Sequence, residues 1–166
     1  TPLTASANAG ATTISVANTA GINVGDLIMI IQMQGASVNA QKQFWWIDST
    51  MGLPADTSMG YIMNYNNAGN HEFAEVNAIL SATSLSLDCA IQKNYSSTGK
   101  TQIVKVPRYT TLTISGAGFI TCPAWNGSTG GVAIVEVETN ATLSSVPSFN
   151  VTGRGFRGGA VENRST

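Results

Sequence analysis

Few side chains in this sequence could do chemistry, and they are scattered. Three tryptophans, Trp45, Trp46 and Trp125, offer flat apolar faces of the kind that stack on a pyranose ring. Two arginines, Arg154 and Arg157, could hold a carboxylate or a sugar acid with their planar forks. Brought into one groove, these residues would make a carbohydrate-binding surface. Each has a plainer reading as well: Trp45 and Trp46, with Phe44 and Ile47, would pin a long loop to the body of the protein, and the arginines would contact corner carbonyls. His71 is the only histidine, so a Ser/His/Asp triad would have to be built on it, and its neighbours Asn70 and Glu72 carry no nucleophile signature. No residue is assigned a catalytic role.

The acids are equally sparse. From Val106 to Gly159 there is no Asp, and Glu136 and Glu138 are the only carboxylates. A polysaccharide lyase of the pectate-lyase kind needs acids that hold calcium and an Arg or Lys as base, and this segment is poor in the former. Glu136 alternates with Val135 and Val137, which points it to solvent. The two cysteines, Cys89 and Cys122, could join in a disulfide outside the cell or serve as two buried small apolar residues. No CxxC or Cys/His spacing suggests zinc. The glycines from Gly153 to Gly159 are not followed by a helical pattern, so they are not a dinucleotide fingerprint. No metal and no cofactor is expected.

The composition excludes several classes of partner. With 166 residues the chain is long enough for one domain with a real core. Charged residues make up only 10%, and the formal net charge is -1. No basic run exists to track phosphates, so nucleic acid is excluded. The apolar run Leu27 to Ile31 is far below the roughly 20 residues that span a bilayer, so no membrane insertion is expected. The chain starts at Thr1 and not at Met, which suits a protein whose signal peptide was removed or a piece of a longer one. Export and a cell-surface location fit both.

The elements that would position these side chains are short strands. Residues 1–10 are small and polar without periodicity and read as a flexible lead-in. From 11 to 106 a set of strands is expected: Thr12 to Val16, Leu27 to Met33, Glu72 to Leu80, Ser84 to Ala90 and Thr101 to Val106. In Ser84 to Ala90 the alternation puts Leu85, Leu87 and Cys89 on the buried face. Asp26 is a turn residue. Residues 35–70 are an aromatic and Asn-rich excursion, too long for a structureless loop, and a short helix or packed loop is expected there. From 107 to 166 short apolar strands alternate with Gly, Asn, Ser and Thr turns. Leu112 and Ile114 fall over Ile134 and Glu136, and Thr121 over Leu143, at one step of 22 residues. That step predicts an all-β protein: a β-solenoid in which each coil lies on the last, with residues 11–106 as a β cap over its first coil. The open end of such a solenoid would be covered by a further segment of a longer chain or by another chain.

The segments Gly25 to Gly35, Tyr65 to Phe73, Pro123 to Gly131 and Gly153 to Gly159 together resemble the front of large secreted adhesin-like surface proteins of bacteria, of the Bacteroidetes and myxobacterial gliding-motility type. The resemblance covers roughly Thr12 to Ala160. It implies a right-handed parallel β-helix entered through a β cap on a protein exported to the cell surface, and it supplies no catalytic residue. It also makes Ser49, in Asp48-Ser49-Thr50, a candidate for O-glycosylation. Asn94, Asn126, Asn140, Asn150 and Asn163 head Asn-x-Ser/Thr triplets, which a chain this rich in Asn, Ser and Thr produces by composition alone.

The leading expectation is therefore a non-catalytic structural or adhesive module of a secreted or cell-surface protein, with surface glycans as partners. The alternative is a carbohydrate-binding or carbohydrate-cleaving β-helix protein with a lyase-like activity. An ice-binding solenoid would need a ladder of Thr, and Thr111 and Thr113 supply a single step.

Overall fold

The computed structural model describes residues 1–39 and 61–156. They form strands and no helix. The strands are β1 (Thr13–Ser15), β2 (Leu27–Gln32), β3 (Ser37–Asn39), β4 (Tyr61–Asn64), β5 (His71–Ser81), β6 (Ser84–Leu87), β7 (Thr101–Val106), β8 (Arg108–Ile114) and β9 (Glu136–Leu143). A five-stranded antiparallel sheet runs in the order β1-β6-β5-β2-β7. β3 and β4 form a separate antiparallel pair, and β8 and β9 a parallel one.

The period-2 alternation of β2 decides where the core lies. Ile28, Ile30 and Gln32 point to one face and are fully buried, opposite Ile103 of β7 and below Val76 of β5. Leu85 and Leu87 of β6 and Ile14 of β1 continue the same apolar layer. Each such side chain contributes on the order of 1.5–3 kcal/mol by leaving water. Gln32 is tolerated because its amide is satisfied: its Nε2 donates to Gln34 O (2.8 Å) and Asn66 O (2.9 Å), and its Oε1 accepts from Ser96 N (2.7 Å). Gly99 makes room for it, since a Cβ there would lie 2.4 Å from Gln32 Nε2 and 2.7 Å from Gln34 O.

The first ten residues are not a flexible lead-in. Leu3 and Ala7 are buried in the core cluster, and the backbone is tied at Leu3 N to Thr101 O, Thr4 N to Ser15 O and Ala7 N to Tyr95 O, each 2.9 Å. The segment is a strap across the sheet, held by amides whose pairing leaves no mark on side-chain periodicity. Cys89 departs from expectation for a local reason. β6 stops at Leu87, Asp88 N turns to Glu75 O (2.9 Å), and the cysteine two residues past the strand faces solvent.

The parallel pairing of β8 and β9 overturns the step of 22 residues. Arg108 lies against Glu136 and Tyr109 against Val137, a step of 28; after an irregularity, Thr111 to Ile114 lie against Asn140 to Leu143, a step of 29. The isolated parallel bridge Ile120 to Phe149 keeps the step of 29. Matching apolar residue types mistook likeness for register. Residues 123–131 form a loop that bends at 127–129, and 132–135 belong to no strand, so this rung needs a longer repeat.

Candidate functional site

The corner built by residues 123–131 is fixed from three sides. Gly131 N donates to Pro123 O (2.9 Å) and Asn126 N to Thr129 O (3.0 Å), closing the turn. The Asn126 side chain fills it, with Oδ1 accepting from Ser128 N and Thr129 N at 2.9 Å each. The turn is docked on β7 by Gln102, only 2% exposed, whose Nε2 donates to Gly130 O (3.0 Å) while its Oε1 accepts from Gly130 N (2.9 Å). Gly130 sits at φ +97° with Ala124 O 2.4 Å from where a Cβ would be, so no other residue fits. A cavity of about 230 Å³ opens beside it, bordered by Gln102, Val104, Pro123, Thr129 and Val132.

Trp125 and Arg154 meet at this corner. Trp125 N donates to Arg154 O (3.0 Å), and the indole packs against Phe156 with centroids 4.9 Å apart and planes at 74°. Edge-to-face geometry of this kind is favourable and leaves ring surface open. Phe156 is 48% exposed, and Trp125 and Arg154 are half-buried. Gly131 lets the Phe156 ring close in, since a Cβ there would stand 3.1 Å from it.

A second concavity, of about 440 Å³, lies at the start of the parallel pair, lined by Arg108, Tyr109, Thr110, Glu136, Val137 and Glu138. Arg108 is its hub, donating from Nε to Glu136 and from Nη1 to Glu75 (3.2 Å). The hydrogen bond to Glu136, and then that to Glu75, holds the guanidinium above its ordinary range. All three side chains are close to half exposed, so water screens the pairs. Glu136 does face solvent, but as an acceptor for Arg108 across the rung.

Of the residues singled out in the sequence, Trp45, Trp46, Ser49 and Arg157 lie outside the described residues. Trp125 and Arg154 are brought together. Cys89 and Cys122 are both free, the first exposed and the second buried, so the disulfide reading gives way to two separate thiols. His71 is exposed, and its Nδ1 lies 3.1 Å from the Gly69 carbonyl. Among the described residues no group of His, Cys, Asp or Glu could hold a metal ion. Phe156, Arg108, Tyr109 and Glu75 escaped the sequence reading. Phe156 stood between two arginines and could have been flagged as their aromatic companion. The Arg108 hub depends on a register 28 residues long that no motif announces.

No family model matches the chain, and no curated protein does, so the resemblance to bacterial adhesin-like proteins remains an expectation. Among solved structures the chain is similar to the Gp54 tailspike of Acinetobacter baumannii bacteriophage AP22 in complex with A. baumannii capsular saccharide, at 18% identity and a TM-score of 0.41 over 68% of this chain. It is also similar to the tailspike protein gp49 from Pseudomonas phage LKA1, at 19% identity and a TM-score of 0.39 over 72%. The chain spans 15% and 18% of the length of those proteins. Likeness of this extent transfers no ligand and no activity. No helix among the described residues is long and apolar enough to cross a membrane.

Proposed function

We propose that this chain is a carbohydrate-binding part of an exported β-solenoid protein, and that the corner of Trp125, Arg154 and Phe156 is where the sugar sits. The observation that carries the reading is the Trp125–Phe156 pair, partly open to solvent on a turn whose backbone is fixed from three sides. A rigid aromatic surface loses little entropy when the apolar face of a pyranose stacks on it. Arg154, whose carbonyl accepts from Trp125 N, and Asn126, whose Nδ2 makes only a long contact to Thr129 Oγ1, are the side chains proposed to supply donors for hydroxyls or for a sugar acid. Binding is the form of the proposal because residues 123–131 and 151–156, which build the corner, contain no Asp, Glu or His.

The test is calorimetric titration of the native chain with a panel of neutral and uronate-containing bacterial polysaccharide fragments. One class should bind, and Trp125→Ala should weaken it about tenfold, equivalent to about 1.4 kcal/mol. Unchanged affinity in that variant, or no binding across the panel, would sink the proposal. A second reading, the structural or adhesive module of a surface protein, is favoured by the parallel β8–β9 rung. One long edge of β9 has no strand partner among the described residues, which suits a coil on which another can be laid.

A further inference from the structure

Asn126 and Gly127 form the only Asn-Gly pair in the chain, and the turn that contains them is arranged around the Asn126 side-chain carbonyl. We infer that Asn126 is a self-modifying residue, converted to aspartate and isoaspartate without any enzyme, and that the folded turn promotes the reaction. The nucleophile is the Gly127 amide nitrogen, which donates to nothing among the described residues while its neighbours Asn126, Ser128 and Thr129 are all engaged. Gly127 has φ +97° and nothing within 4 Å of where a Cβ would be, so no side chain blocks the approach.

In the step itself the deprotonated Gly127 nitrogen forms a bond to Asn126 Cγ. Negative charge builds on Oδ1, where the amides of Ser128 and Thr129 already donate at 2.9 Å each. Two backbone donors aimed at one carbonyl oxygen are the arrangement that stabilises a tetrahedral oxyanion. The Cγ–Nδ2 bond then breaks, and ammonia leaves with a proton. Nδ2 is held only by a long contact to Thr129 Oγ1 (3.4 Å), so little opposes departure. Water opens the resulting five-membered imide at either carbonyl, giving aspartate or isoaspartate. No oxidant or cofactor enters.

The isoaspartate branch routes the main chain through the former side chain and lengthens it between Trp125 and Gly130. Both ends are anchored, Trp125 to Arg154 O and Gly130 to Gln102, so the added length must be absorbed by releasing one anchor. Conversion would therefore loosen the aromatic corner with age.

The experiment compares conversion at Asn126 in the native chain and in the same chain unfolded in urea, at one mildly alkaline pH and one temperature. Peptide mapping and enzymatic methylation of isoaspartate follow the products. The native chain should convert about tenfold faster, a modest share of what paired oxyanion donors supply in enclosed sites. A native rate equal to or below the unfolded one overturns the inference, since the turn would then protect Asn126. Gly127→Ala, compared in urea where the fold plays no part, should be slower; an unchanged rate would mean that the Gly127 amide is not the nucleophile, and it too overturns the inference.

Discussion

Buried polar atoms are where single residues decide most in this molecule. Gln32 and Gln102 are buried on opposite faces of neighbouring strands, and each uses both ends of its amide to fasten a loop. Their strand positions could be read from alternation. Their partners could not, because apart from Gln34 O, two residues on from Gln32, those partners are backbone atoms 28 to 64 residues away. Tyr95 is the contrasting case. It belongs to the core cluster, yet its hydroxyl finds no hydrogen-bond partner among the described residues. Burial, then the Glu72 carboxylate, pushes that hydroxyl up from its ordinary range; the carboxylate is near enough to act on it but makes no hydrogen bond of good geometry with it, since its two oxygens accept from Gln92 N and Lys93 N. An unsatisfied buried hydroxyl costs on the order of 1–3 kcal/mol, so Tyr95→Phe should raise stability by up to about 1 kcal/mol once lost packing is allowed for. Urea unfolding measures it, and a destabilised variant would show that the hydroxyl has a partner after all.

Among the elements, β2 is the one the sequence announces best, since its short apolar run after the Gly25-Asp26 turn reads as a strand apolar on both faces at its start and on one at its end. The turn before it is built as sequence chemistry suggests: Asp26 Oδ2 accepts from Asn23 N (2.7 Å), and Gly25 donates to Val76 O (2.8 Å). What the sequence did not disclose is the third partner, Lys105 of β7, whose Nζ lies 2.7 Å from the same carboxylate oxygen. The hydrogen bond from Lys105, aided by the Asn23 amide and opposed by partial burial, holds Asp26 below its ordinary value of 3.8. The folded state therefore binds this proton less readily than the unfolded one. The resulting stability is fully present above about pH 4, and it is lost as pH falls through the folded value. Its size is about 0–1 kcal/mol, since the lysine is partly exposed. Asp26→Asn should lower stability at neutral pH by up to that amount and leave the low-pH end little changed, which flattens the acid limb of a stability–pH profile; an acid limb that keeps its slope would assign the effect elsewhere.

On the scale of the whole molecule, two kinds of β structure share one chain. The antiparallel sheet is sealed on its core face by the strap of residues 1–10 and by Ile91 and Tyr95. The parallel rung has no such cover: most of β8 and β9 is exposed, and Phe119, Leu143, Val146, Phe149 and Val151 present apolar surface on the same stretch of chain. The sequence places a boundary near Pro107 because proline cannot donate to a ladder, and Pro107 stands between β7, which pairs antiparallel, and β8, which pairs parallel. It could not foretell the register, since parallel pairing is set by the length of everything between two strands and not by either strand's own pattern. A rung bonded along one edge and wet on most of its surface should open locally, well below the free energy of global unfolding. Amide hydrogens of β8 and β9 should then exchange roughly a hundredfold or more faster than those of β2, which is bonded on both sides. Equal protection would mean that the rung and the sheet unfold as one unit. Slower exchange on adding a bound saccharide fragment would tie the stability of the coil to the corner at Trp125, since ligand binding lends its free energy to whatever segment must be ordered to form the site.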